Sequence, residues 1–154
     1  MRTFAEETAK GKLKEVLERF RNEQKDFDVI IACDTIIHFN GEIIGKPSNA
    51  QNAVETLKKL RNNVHDVCTG VAMAYPSGEQ DVFSDVTKVE FGDFTDESIQ
   101  RYVDSKDPLK KAGSYGIGEF GGVFVSRIEG CFYNVVGIPL HQVYKRMQQR
   151  KIVP

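Results

Sequence analysis

Three places in this 154-residue chain combine residue types suited to phosphate chemistry. The first is Asp34-Thr35, an acid and a hydroxyl directly after the apolar run Val29-Ile30-Ile31-Ala32-Cys33. A carboxylate there needs a partner, a ligand or solvent, because an unpaired buried charge is costly. Ligands of α/β sheets gather at the carboxyl ends of strands, and Thr35 can both donate and accept. The pair can therefore position a water, with or without a metal. An Asp accepting backbone N–H bonds at a turn reads the same residues equally well.

The second place is Gly45-Lys46-Pro47. It is not a P-loop, which needs G-x-x-x-x-G-K-[ST] between strand and helix. Gly41 stands too close to Gly45, and Pro47 replaces the hydroxyl and removes an N–H that a phosphate cradle would use. Lys46 can still bring one point charge to a phosphate, although composition alone favours a solvated loop lysine. The third is Lys110-Lys111-Ala112-Gly113-Ser114-Tyr115-Gly116-Ile117-Gly118-Glu119-Phe120. Glycines expose N–H groups, lysines supply charge, and Tyr115 and Phe120 offer ring faces, a set that suits phosphate and base together. Glycine-rich loops also occur without ligands.

Other groupings are weaker. Cys33, His65 and Asp85 can be drawn as a nucleophilic triad, but a thiol inside an apolar strand is usually inert. His38, His65 and His141 show no metal-ligand spacing, which favours structural or surface roles. Lysines and arginines at 12, 14, 19, 21 and 25 alternate with acids and read as a solvated helix face.

The elements that must position these groups follow from periodicity. Phe4, Ala5, Ala9, Leu13, Val16, Leu17 and Phe20 recur at helical spacing, so residues 3–22 form an amphipathic helix that Gly11 weakens slightly. Residues 29–33 suit a strand buried on both faces. Asn40-Gly41 between Ile36–Phe39 and Glu42–Ile44 predicts a tight hairpin. Ser48 and Gln51 make a capping box for a helix over 49–61. Strands are expected over 66–75 and 82–91 around Pro76-Ser77-Gly78, then a helix capped by Thr95-Asp96-Glu97, a loop over 105–122, and a strand over 123–128. Pro139 opens a last helix carrying Leu140, Val143, Tyr144 and Met147. The order implies one α/β domain over 1–154, a mixed sheet flanked by helices.

Bulk properties narrow the class. Hydrophobic residues make up 40% and charged residues 28%, with net charge −1. Such a balance supplies no general field toward nucleic acid, and an RNA-binding domain would carry a basic face. No apolar run reaches the length of a membrane span. The start, Met1-Arg2-Thr3-Phe4-Ala5-Glu6-Glu7, has no apolar core of a signal peptide. Three unclustered cysteines point to a reducing compartment, hence cytoplasm.

Taken in order, "VIIACDT" (29–35), "GKP" (45–47), "HDVCTGV" (65–71), "TKVEF" (87–91), "IQRYV" (99–103), "KAGSYGI" (111–117) and "IEGCFYNVVGIPL" (128–140) resemble the Maf-like family of nucleoside triphosphate pyrophosphatases. That domain also occurs fused in acetylserotonin O-methyltransferase-like proteins. The resemblance implies hydrolysis between the α and β phosphates, giving nucleoside monophosphate and pyrophosphate. It also implies a divalent metal, Mg²⁺ or Mn²⁺, a fold like the inosine-triphosphate pyrophosphatases, and a homodimer. Asp34 matches the family's proton acceptor and Thr35 a specificity position. Lys46 and Lys111 match lysines expected near phosphate, and the Tyr115 loop matches the branch that prefers dTTP and UTP; the metal ligands are not implied.

Departures accompany the match. The family opens with a strand and a Ser-x-Ser-x-Arg-Arg phosphate loop, followed by a segment with a Glu, whereas this chain starts at the helix after them. An unpaired edge is therefore expected along 29–33, a known aggregation liability. Gly118 stands where the family has a specificity Gln, Lys110 replaces an acid, and Asn63 stands where a Ser-Gly-Arg turn usually ends. The alternative to an enzyme is a catalytically impaired relative that binds nucleotide or a protein partner.

Overall fold

The computed structural model describes residues 1–154. Helix α1 (Arg2–Asn22) precedes strand β1 (Ile30–Phe39), which turns through Asn40-Gly41 into β2 (Glu42–Ile44). Both turn residues have positive φ, 50° and 84°, as the tight hairpin requires. Helix α2 (Ala50–Leu60) leads to β3 (Val64–Ala74), β4 (Gln80–Phe91) and α3 (Asp96–Asp104). The segment expected as loop folds into three short 3₁₀ turns at Asp107–Lys110, Ala112–Ser114 and Phe120–Phe124. The last of these takes the first residues of the expected strand, so β5 runs Val125–Glu129. A five-residue helix α4 (Phe132–Val136) and helix α5 (Leu140–Gln149) close the chain. No helix is long and apolar enough to cross a membrane.

The sheet has the order β2-β1-β3-β4-β5, and every neighbouring pair is antiparallel. The mixed sheet expected from sequence is therefore corrected. Helix α2 does join two strands of like direction, β2 and β3, but β1 lies between them. The crossover skips a strand, so no parallel pair comes into contact.

Strand β1 is also longer than the apolar run suggests. Its ladder with β3 continues unbroken from Ile30↔Ala74 to His38↔Asp66, carrying the strand through Asp34 and Thr35. On its other side β2 pairs only with Ile37–Phe39. The stretch from Ile30 to Ile36 thus has a strand on one side alone, which is the open edge expected near residues 29–33.

Alternation along β1 sorts its side chains between two layers. Ile30, Ala32 and Ile36 face α1, whose buried stripe is Ala5, Ala9 and Leu13 at helical spacing. The opposite face carries two clusters. One gathers Ile37, Phe39, Val67, Val89 and Phe91 under α2 and α3. The other sets Val71, Met73 and Tyr75 against Val143 of α5. Helix α2 is capped one residue later than expected: the Asn49 side chain accepts from Asn52 N–H at 2.9 Å, while Ser48 N–H donates back to Asn52 Oδ1 at 3.2 Å. Thr95 caps α3 as expected, accepting from Ser98 N–H at 3.1 Å.

Helix α1 lies close enough to the sheet that a Cβ at Gly70 would overlap the backbone of Ala5 and Glu6. Backbone cannot step aside as a side-chain tip can, so Gly70→Ala should destabilise by about 1–3 kcal/mol. Gly11 in the same helix faces open space. Gly11→Ala should stabilise by about 0.5–1 kcal/mol through unfolded-state entropy. Urea unfolding of both variants checks the pair; a neutral Gly70→Ala would mean the helix is not seated on that strand.

Candidate functional site

A cleft of about 650 Å³ wraps around the open edge of β1. Phe4 and Lys12 of α1 form one wall, Cys33 to Ile37 the floor, and Gly45 and Lys46 one end. Lys110 to Ala112 and Tyr115 to Glu119 close the far side, with Val67, Val135 and Val136 behind. Asp34, Thr35, Lys46, Lys111 and Tyr115, drawn from separate segments, thus all line one cavity.

Asp34 does not stand at the end of a strand, as expected, but in the middle of β1, opposite Gly70. It points toward α1, and Lys12 Nζ meets its Oδ1 at 2.7 Å and the Cys33 carbonyl at 3.0 Å. The Asp34 side chain is 17% exposed, so this ion pair is sheltered on the acid's side. Its other oxygen accepts no hydrogen bond from the protein. Lys12, expected on a solvated helix face, is the residue that sequence reading missed. Two helical turns separate it from Phe4, so both stand on the stripe beside the buried one.

Thr35 points the other way, as the next residue of a strand must. It is half-buried, and its Oγ1 lies 2.8 Å from Thr69 Oγ1. Thr69 in turn donates to the Asn134 carbonyl at 2.8 Å. Asn134 is fully buried, and its amide donates to the Val67 carbonyl and to Thr87 Oγ1, both at 3.1 Å. These partners lie far apart in sequence, and no local pattern announces them.

The lysines differ in what holds them. Lys46 and Lys110 are exposed and form no ion pair, which leaves their charge free for a ligand. Lys111 is held by Glu119 and, at 3.0 Å, by Asp107 Oδ1. Burial works to lower its pKa, but these two carboxylates outweigh burial and raise it above the ordinary lysine value. Asp107 also accepts from the Tyr102 hydroxyl at 2.8 Å, and that hydroxyl accepts from Gly116 N–H at 3.1 Å. Another tie runs from Gly113 N–H to the Gly45 carbonyl at 3.0 Å. The glycine loop and the Gly-Lys-Pro corner are thereby joined.

Tyr115 lines the cleft but does not present its ring to it. Only 5% of the residue is exposed, and the ring packs edge-on to Phe91 in the core. Its hydroxyl lies 2.8 Å from His65 Nε2, and burial pushes its pKa upward. The expected ring face for a base is corrected: this tyrosine anchors the loop. Phe120 is exposed, but its ring leans on Tyr102 outside the cleft lining. His65 and Asp85 do not meet Cys33 in a triad; His65 is spent on Tyr115, and burial raises the Cys33 thiol.

No three His, Cys, Asp or Glu side chains converge on a point that could hold a metal ion. The cleft therefore offers no all-protein cage. What it does offer is one sheltered carboxylate, so a divalent ion here would take its oxygens mainly from a bound ligand and water, as Mg²⁺ does.

A profile of the family described as Maf-like protein matches residues 1–150. The chain is 41% identical over 143 residues to the dTTP/UTP pyrophosphatase of Clostridium tetani, covering 92% of this chain and 72% of that one. It is 43% identical over 152 residues to the dTTP/UTP pyrophosphatase of Shouchella clausii, covering 99% and 76%. To the protein of that name from Carboxydothermus hydrogenoformans it is 44% identical over 122 residues, covering 79% and 66%.

Burial of His65 lowers its pKa from 6.5 to about 4. Below pH 6.5 the unfolded chain binds a proton that the folded protein refuses until about pH 4. Stability from this residue is therefore whole above that window and falls as pH drops through it, by roughly 2 kcal/mol at pH 5. Urea unfolding at pH 7 and pH 5 should show His65→Gln losing less on acidification than the unsubstituted protein. Equal losses would place the histidine in water.

Proposed function

Because the chain belongs to the Maf-like family, we propose that it hydrolyses nucleoside triphosphates of the dTTP and UTP type to nucleoside monophosphate and pyrophosphate. The observation that carries this reading is the meeting, in one cleft, of a lysine-oriented carboxylate with further lysines from two other segments. A triphosphate needs that combination: cations against its charge and a base beside its reacting phosphorus.

In this reading Lys12 fixes Asp34 through one oxygen and leaves the other to hold the attacking water. The water oxygen attacks the α-phosphorus while Asp34 takes its proton. The bond from that phosphorus to the α–β bridging oxygen breaks, and its electron pair leaves with pyrophosphate. Lys46 and Lys110 meet the phosphates directly, and Lys111 joins them from its place between Asp107 and Glu119. A divalent ion, Mg²⁺ or Mn²⁺, would supply further positive charge against the phosphates. Tyr115 contributes through the loop it anchors. A homodimer and a cytoplasmic setting belong to the same proposal, and sedimentation and cell fractionation test them.

The test is pyrophosphate release from a panel of triphosphates with Mg²⁺ present. Release from dTTP and UTP is expected, with Asp34→Asn lowering kcat by about 10²–10⁴-fold. Binding without turnover would make the chain a nucleotide-binding relative and remove the enzymatic reading. Lys46→Ala should raise KM several-fold with a smaller change in kcat, because an exposed charge binds ground and transition states alike. A loss confined to kcat would place Lys46 at the breaking bond instead.

A further inference from the structure

The direction of the Thr35 proton follows from its neighbours. Thr69 Oγ1 lies 2.8 Å from the Asn134 carbonyl oxygen and 2.8 Å from Thr35 Oγ1. A carbonyl oxygen can only accept. At that separation two oxygens attract only with a proton between them, so Thr69 O–H donates to Asn134. A hydroxyl has one proton, and Thr69 has then only lone pairs to offer Thr35. Thr35 must donate to Thr69, and the capacity it keeps for the cleft is that of an acceptor.

Nothing in the surroundings lets this relay reverse cheaply. Thr69 and Asn134 are both fully buried, so Thr69 has no water as an alternative partner. The Asn134 amide, bonded to Val67 O and Thr87 Oγ1, keeps the residue from turning away.

Thr35 opens on a cleft whose lining includes an apolar set, Val67, Ile117, Val135 and Val136. A triphosphate is drawn to the lysines, which leaves this wall for the base. An acceptor in an apolar wall rewards an N–H and penalises a lone pair in the same place. The imide N3–H of uracil or thymine is such a donor, whereas N3 of cytosine is an acceptor. Resting on the nucleotide reading above, we infer that Thr69 is a positioning residue: it touches no nucleotide, yet by fixing the Thr35 hydroxyl as an acceptor it makes the cleft select imide pyrimidines over cytosine.

Thr69→Val keeps shape and removes the proton relay, so the Thr35 hydroxyl is free to turn and donate. The affinities of UMP and CMP, measured by calorimetry, and kcat/KM for UTP and CTP give the readout. Both ratios should favour uracil in the unsubstituted protein and fall by about tenfold in Thr69→Val. Thr69→Ser retains a hydroxyl and should restore the preference. A purely structural role would weaken uracil and cytosine ligands alike, and an unmoved ratio in Thr69→Val overturns the inference. Should Thr69→Val fail to fold, Thr35→Val removes the acceptor itself; it should lose the preference, and a retained preference overturns the inference equally. An unsubstituted protein that binds no nucleotide removes the proposed function and this inference together. Nucleotide bound with an unmoved ratio removes this inference alone.

Discussion

Neighbouring residues on a strand point to opposite faces, and here that alternation falls on an edge no other strand covers. Asp34 turns toward α1 and Thr35 toward α4, while the cleft reaches both by wrapping around β1. Had β2 paired along the whole of β1, the sheet would separate the two residues. The hairpin stops at Ile37↔Ile44, and the seven residues before it on the β3 ladder, Ile30 to Ile36, have no strand on that side. Each remaining part of the site can be read as support for one of these two directions. Helix α1 supplies Lys12 to the acid, and it reaches that position because Gly70 lets it settle onto β3. Helix α4 supplies the Asn134 carbonyl to the hydroxyl chain.

Charge in the cleft is arranged in two grades. Lys12 and Lys111 each hold carboxylates, whereas Lys46 and Lys110 hold none. Four unopposed ammonium groups around one cavity would repel one another and lower stability. Pairing two of them reduces that cost without removing positive charge from the region. The pairs also differ in what a polyanion can do to them. Glu119 is 54% exposed and can give way to a phosphate that competes for Lys111. Asp34 is largely covered and keeps Lys12, so the carboxylate stays oriented when the cleft fills.

The sequence was most readable where the responsible forces are local. The apolar stripe of α1, the Asn40-Gly41 turn and the Thr95 cap each declare themselves within a few residues, and all three are present. What the pattern misplaced depends on pairing. Asp34 looked like the end of a strand because the apolar run stops there, but the ladder with β3 carries the strand onward regardless of polarity. Lys12 looked solvated because charges alternate around it; only the seating of α1 shows which lysine faces an acid. The Thr69–Asn134 bond joins residues 65 apart, and neither Thr nor Asn is unusual in its own segment. Tyr115 misled through composition, since an aromatic among glycines suggests a ligand surface until its burial is known.

The glycine loop shows why such composition is ambiguous. Gly113, with φ of 65°, sits where a Cβ would overlap the Ile37 side chain. Gly121 approaches the Gly116 backbone just as closely as packing allows, with a Cβ there only 2.9 Å from Gly116 N. These glycines serve close packing of the chain on itself; the hydrogen bonds of Gly113 and Gly116 run to Gly45 and Tyr102. A loop built this way spends those two N–H groups on its own shape and divides its side chains between core and cleft. That is the arrangement found: Tyr115 goes inward as the anchor, and Lys110 and Lys111 stand beside the cleft at the loop's start. The glycines thereby help decide where the two lysines are held.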